Sequence, residues 1–152
     1  DNKPHSRIVL LKGVVNENMR FFTNYNSNKG QQLDQNPNCA LLFHWVDLER
    51  TVRIEGVASK ISESESTAYF LSRPKGSQIS AMASNQSEII PSRDFLEEKL
   101  LSIVTPAKPE NWGGYDVEPH SFEFWQGRSS RLHDRFSYKL KSGLWSIDRL
   151  AP

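Results

Sequence analysis

"RIVLLKGVVNENMRFFTNY", Arg7–Tyr25, holds two apolar runs, Arg7–Val14 and Met19–Tyr25, around a polar Val-Asn-Glu-Asn turn. Short runs rich in branched and aromatic residues and joined by such a turn read as a β-hairpin. The same pattern continues downstream. "CALLFHWV" (Cys39–Val46) is almost continuously apolar, as expected of a strand covered on both faces. "TVRIEGVASKI" (Thr51–Ile61) alternates, with Val52 and Ile54 on one face and Arg53 and Glu55 on the other. Between these strands, "SNKGQQLDQNP" reads as a short helix ended by Asn36-Pro37.

The period then changes. Ser62 and Glu65 stand at capping-box spacing ahead of a short helix that stops at Pro74. "SQISAMAS" reads as another helix. Phe95, Leu96, Lys99, Leu100 and Ile103 recur at helical spacing in the clearest amphipathic segment. After the breaker "TPAKPENWGG", strands resume in "HSFEFWQG", "SRLHDRFSYKL" and "LWSIDRL", the last two joined by a Lys-Ser-Gly turn. Strands at both ends with helices between them define a mainly β, α+β fold class. A mostly antiparallel sheet of this size closes most economically into a barrel, because closure removes exposed edges. With no repeat, low-complexity segment or linker, residues 1–152 are expected to form one domain.

Composition narrows the function. A net charge of +1 argues against a general nucleic-acid or membrane surface, so any cationic site must be local. A barrel binding single-stranded nucleic acid would suit the aromatic residues but not this charge. The single cysteine, Cys39, lies in an apolar run and reads as a buried, inert thiol, which fits a reducing compartment. No signal-peptide pattern opens the chain and no apolar run is long enough to span a bilayer. The cytoplasm is the expected location, with organelle targeting on a longer precursor left open.

Sequence motifs for a P-loop, a dinucleotide fold, a metal cluster or a nucleophile elbow are missing. What remains is a set of cationic and hydroxyl residues among aromatics. Arg7 and Lys12 bracket an apolar strand, and Lys29 opens a short helix. Tyr69, Arg73 and Ser77 recur every four residues, although Pro74 argues against one straight helix through all three and points to a turn for the last. Taken as a strand, "SRLHDRF" puts Arg131, His133 and Arg135 on one face, near Trp125. Arginines with Ser and Tyr donors suit phosphate, since guanidinium offers a fork of donors and hydroxyls complete the shell. Each feature also has a plain reading as solvated surface or packing. The residues alone reach a β-rich domain with several candidate phosphate-sized anion sites.

The blocks "SRIVLLKG", "FFTNY-S-KG", "VRIEG", "YF-SRPKGSQI-A-AS-QS", "WGGY" and "EFWQG--SRLHDR", with a terminal "RLAP", resemble the pyridoxine/pyridoxamine 5′-phosphate oxidase family, in order, from about Ser6 to Pro152. That resemblance implies a split β-barrel homodimer with flavin mononucleotide (FMN) in clefts between its subunits. It implies oxidation of pyridoxine or pyridoxamine 5′-phosphate to pyridoxal 5′-phosphate in vitamin B6 salvage. Hydride would pass from substrate C4′ to flavin N5, and dioxygen would be reduced to hydrogen peroxide. Matching positions assign Arg7, Leu10, Phe22, Thr23, Lys29, Gln86, Ser87, Trp125 and Arg135 to FMN. Lys12, Tyr69, Arg73 and Ser77 match the grip on the substrate phosphate, and Arg131 and His133 match residues over the substrate ring and its reacting carbon. No metal is implied.

The chain departs from the family pattern at several places. Asn28 stands for a usual Arg, Thr51 for a usual Gln and Ser80 for a usual Gly, which points to weaker FMN binding. The resemblance also implies several tens of residues ahead of Asp1, including a helix and the first barrel strand, and a longer segment between Val104 and Thr105. The alternative to an active oxidase is a weakly catalytic or non-catalytic relative that binds FMN or pyridoxal phosphate.

Overall fold

The computed structural model describes residues 3–152. Seven strands and four helices are found there: β1 (Gly13–Val15), β2 (Asn18–Asn24), α1 (Asn28–Gln35), β3 (Asn38–Trp45), β4 (Arg50–Lys60), α2 (Glu63–Ser72), α3 (Lys75–Ala83), α4 (Arg93–Ser102), β5 (Trp112–Gln126), β6 (Asp134–Lys141) and β7 (Leu144–Leu150). The strands share one sheet of order β1-β2-β5-β4-β3, with β6 joined to β5 and β7 to β6. The β1–β2, β3–β4, β5–β6 and β6–β7 pairs are antiparallel. The chain divides into two compact units, one of residues up to Asn36 with Lys60–Asp116, the other of Pro37–Ser59 with Val117–Pro152.

In the first unit, Asn16 and Glu17 form the hairpin turn with φ of 49° and 68°, and Val15 faces Asn18 across it. Two consecutive positive φ values match the twist of the flanking strands. The predicted first strand is shorter than Arg7–Val14. Only Gly13–Val15 pairs as strand, with the Lys12 N–H adding one bond to the Arg20 carbonyl at 2.8 Å. Among the described residues no strand lies alongside Arg7–Leu11, so that run stays irregular and Ile8 is 94% exposed.

The helices start where their caps dictate. Ser27 accepts from the Gly30 N–H and opens α1. Ser62 and Glu65 form the full reciprocal capping box of α2, an arrangement that satisfies two otherwise orphaned donors. Arg73 ends α2 and Pro74 begins α3. The amphipathic spacing of α4 buries less than expected: Leu96, Lys99 and Leu100 are half-buried, and none of its residues is buried.

The core of this unit is Met19, Phe21, Phe70, Ala83, Trp112 and Tyr115. Each large apolar ring buried there contributes roughly 2 kcal/mol. "WGG", read as part of a breaker, instead opens the long strand β5. The reason is close packing. A Cβ at Gly113 would stand 2.1 Å from the Tyr25 hydroxyl, and one at Gly114 would stand 2.6 Å from Ile61 Cδ1.

In the second unit, β4 alternates as its sequence predicts, with Ile54 and Ala58 buried and Arg53 exposed. β3 differs from expectation: it has no buried residue, and Leu42 is 68% exposed. It ends the strand order and so has a single strand neighbour. Cys39 is half-buried rather than buried, and desolvation pushes its thiol pKa up.

The β6–β7 turn narrows to Ser142 and Gly143, with φ of 50° and 79°. The strand predicted from Ser130 begins only at Asp134. Ser130 and Arg131 have φ of 56° and 61° and lie in a 3-10 turn, Ser129–Arg131. Left-handed backbone cannot continue a strand. Arg131 and His133 therefore do not share a strand face with Arg135.

Candidate active site

Three groups of side chains carry the predicted chemistry, two in the first unit and one in the second. The first is built on the end of β2 and the start of α1. Lys29, only 7% exposed, donates to Thr23 Oγ1 at 2.5 Å. Thr23 is also buried and donates to Gln86 Oε1 at 2.8 Å, and the Asn24 N–H reaches the same oxygen at 3.4 Å. Arg7 hydrogen-bonds Gln32 on α1. Burial first, and the positive charge of Arg7 second, pull the Lys29 pKa below its ordinary value. Among the described residues no carboxylate pairs with Lys29. A buried cation without an acid partner is costly unless an anion arrives.

The second group lies where α2 meets α3. Phe22, Tyr69 and Trp112 have nearly parallel rings: Phe22–Tyr69 centroids are 3.8 Å apart at 17°, and Tyr69–Trp112 centroids are 6.3 Å apart at 4°. The Arg73 guanidinium sits 4.8 Å from the Trp112 ring centroid and 5.7 Å from that of Phe70. Gln78 donates to the carbonyls of Leu71 and Arg73 at 3.2 and 2.8 Å, holding the junction between the helices. Among the described residues, Arg73 Nη1 is the one buried side-chain polar atom without a hydrogen-bond partner. Burial lowers the Arg73 pKa, yet an arginine keeps its charge. Ser77 stands in the first turn of α3, the helix read from "SQISAMAS" and separate from α2, and its N–H bonds the Pro74 carbonyl at 2.9 Å.

The third group belongs to the second unit. Trp125 and His133 rings are 4.7 Å apart, and His133 Nδ1 accepts from the Arg128 N–H at 3.1 Å. That bond makes Nδ1 the acceptor, so a neutral His133 carries its proton on Nε2. Arg135 donates from Nε and Nη2 to Glu123 Oε1, both at 2.8 Å, and from Nη1 to the Ala151 carbonyl at 2.9 Å. Glu123 also accepts from Arg53 at 2.8 Å. Arg135 foremost, then Arg53, holds the Glu123 carboxyl below the usual range.

Four predicted residues stand outside these groups. Leu10 is 67% exposed. Lys12 and Arg131 are exposed, and Ser87 is an exposed residue with φ of 76°. Conversely, sequence reasoning did not pick out Trp112, Gln78 and Glu123 as site residues. Trp112 was visible only within "WGGY", and nothing in the local pattern tied Glu123 to two arginines.

Among the described residues no His/Cys/Asp/Glu group could hold a metal, and no helix is long and apolar enough to cross a membrane.

Comparison with known proteins defines the class. The structure of a pyridoxamine 5′-phosphate oxidase-related, FMN-binding protein from Nostoc punctiforme superimposes with a TM-score of 0.78 at 16% identity, over 96% of this chain and 80% of that one. PhzG from Burkholderia lata, solved with tetrahydrophenazine-1-carboxylic acid, gives 0.88 at 29% identity, over 97% and 75%. The fold is thus that of the FMN-binding split-barrel flavoproteins, mainly antiparallel β with inserted helices. Residues 1–103 match the family model described as pyridoxamine 5′-phosphate oxidase, and residues 112–152 match the pyridoxine 5′-phosphate oxidase C-terminal dimerisation region.

The pyridoxine/pyridoxamine 5′-phosphate oxidase of Acidovorax sp. is 51% identical across this whole chain and 72% of its own length. That of Polynucleobacter asymbioticus is 53% identical over 98% of this chain and 73% of its own. The chain belongs to the pyridoxine/pyridoxamine 5′-phosphate oxidase family of flavin-dependent oxidoreductases.

Proposed function

We propose that this protein oxidises pyridoxine 5′-phosphate and pyridoxamine 5′-phosphate to pyridoxal 5′-phosphate, using FMN and dioxygen, as a step of vitamin B6 salvage. The observation that carries the reading is a pair of cationic sites without acid partners among the described residues: buried Lys29 beside Arg7, and Arg73 with its orphaned Nη1. The reaction brings together two phosphorylated molecules, cofactor and substrate, and so calls for two such sites.

The residues fit FMN on the same ground. Lys29, Thr23 and Arg7 offer a desolvated cation, a hydroxyl and a guanidinium to a phosphate, and Phe22, Leu10, Gln86, Ser87, Trp125 and Arg135 are the remaining proposed contacts. When bound, FMN supplies the acceptor for the hydride leaving substrate C4′, and dioxygen restores it with release of hydrogen peroxide. Arg73, with Tyr69, Ser77 and Lys12, grips the substrate phosphate and fixes the rest of the molecule by leverage, a positioning role. His133 is held by Trp125 and the Arg128 N–H, which leaves Nε2 to exchange a proton with the substrate alcohol or amine. Arg131 orients the substrate ring. The homodimer implied by the C-terminal dimerisation region is proposed to hold FMN at its subunit interface.

The test is direct. Purified protein reconstituted with FMN is given pyridoxine 5′-phosphate in air, and pyridoxal 5′-phosphate and peroxide are assayed together. Equimolar formation supports the reading, whereas FMN-loaded protein that forms neither product defeats it.

A further inference from the structure

We propose that Trp112 is a positioning residue for the substrate phosphate, holding the Arg73 guanidinium by its ring face so that the arginine stays oriented and free of any acid partner. The inference rests on the proposed function and adds a residue to it.

Three observations converge. The Arg73 carbon lies 4.8 Å from the Trp112 centroid, within the range in which an indole face attracts a cation. Among the described residues no carboxylate bonds Arg73, and Nη1 is buried without a partner. A buried donor without a partner calls for an explanation, and a phosphate that accepts from it supplies one. Finally, Trp112 is itself fixed: it is 6% exposed, stacked with Phe22 at 5.4 Å and 14°, and edge-on to Phe70 at 5.2 Å.

The logic is one of competing partners. A carboxylate beside Arg73 would hold the guanidinium equally well, but it would occupy the donors and repel a phosphate dianion. An aromatic face attracts the cation without taking an N–H, so the fork of donors remains available. Indole provides the strongest such face among the side chains, and phenyl a weaker one. Gln78 completes the arrangement from the backbone side by bonding the Arg73 carbonyl. Trp112 thus acts through Arg73 and need not touch the substrate.

The test compares FMN-loaded wild type with Trp112→Phe and Trp112→Leu. Steady-state kinetics with pyridoxine 5′-phosphate are measured alongside competitive inhibition by inorganic phosphate and FMN retention. Loss of the indole face is expected to raise KM, and to weaken phosphate inhibition in parallel, by about tenfold in Trp112→Leu and about threefold in Trp112→Phe. In both variants kcat and FMN retention stay near wild type.

Unchanged KM and phosphate inhibition in both variants would overturn the proposal. So would a Phe variant as impaired as the Leu variant, with kcat and FMN falling together, since that is how a packing residue behaves. Should Trp112→Leu not fold, the graded shift in Trp112→Phe decides alone. A wild-type protein that neither turns over pyridoxine 5′-phosphate nor binds phosphate would remove the underlying function, a result distinct from variants that match an active wild type.

Discussion

Arg20 and Asp116 are joined by two parallel bonds, Nε to Oδ1 and Nη2 to Oδ2, each 2.7 Å long. Both side chains are only 14% exposed. The remaining Arg20 nitrogen, Nη1, reaches Glu65 Oε1 at 2.9 Å, and Glu65 is the residue that closes the capping box of α2. One guanidinium therefore ties β2 and the start of β5 to the helix whose far end presents Tyr69 and Arg73. Asp116→Ala should leave Arg20 largely buried and half-satisfied, lowering stability by about 3 kcal/mol in denaturant titration. Glu65→Gln keeps the fork intact and should lose much less.

Lys29 yields a prediction in which stability and function part ways. Its charge is desolvated and lies near Arg7, with no acid opposite among the described residues. Lys29→Met removes that strain, so the thermal midpoint of flavin-free protein should hold or rise. The same change should weaken FMN binding at least tenfold, a loss of about 1.4 kcal/mol or more. Thermal melts and FMN titration of one preparation read both effects.

Glu123 sets a pH dependence. Its folded pKa is depressed by Arg135 and Arg53, so the stability it adds is fully present above the unfolded value near 4.5. That stability is lost as pH falls through the lower folded pKa. Between about pH 5 and pH 3, wild type should lose more denaturant resistance than Glu123→Gln, and the two curves should run parallel above pH 6. Parallel curves throughout would show that the arginine pair contributes nothing through this carboxylate.

Arg131 and His133 are expected to act on turnover and not on cofactor retention. Arg131→Leu and His133→Asn should each lower kcat/KM by about a hundredfold or more, the scale of a lost acid–base or positioning group, with FMN binding unchanged. Equal loss of both properties would contradict that division.

The elements whose cues are local were legible in the sequence. Capping at Ser62 and Glu65, the stop at Pro74 and the alternation of β4 all operate within a few residues of themselves. The misread segments were decided by distant neighbours. Gly113 and Gly114 look like a breaker until Tyr25, Ser66 and Ile61 are seen pressed against them. "SRLHDR" looks like a strand because nothing in its composition announces positive φ at Ser130 and Arg131, neither of which is glycine. Of the proposed site, Lys29, Thr23, Arg73 and His133 were nameable because their positions match the family blocks. Trp112, Gln78 and Glu123 were not, since each acts by holding another residue and their partners lie up to 70 residues away.

Asn28 stands at the first residue of α1 and is exposed, at the position where the family resemblance implies an arginine. Asn28→Arg should tighten FMN binding several-fold, as an added cation does for a phosphate dianion. Fluorescence titration of flavin-free protein measures it.

One aerobic assay asks what the Lys29 and Arg73 sites hold. FMN-reconstituted protein is mixed with pyridoxine 5′-phosphate, and pyridoxal 5′-phosphate, peroxide and bound flavin are quantified in the same sample. A yellow protein that forms aldehyde and peroxide in equal amounts, and slows when inorganic phosphate is added, is the expected result. A protein that binds FMN yet forms no pyridoxal 5′-phosphate would contradict it.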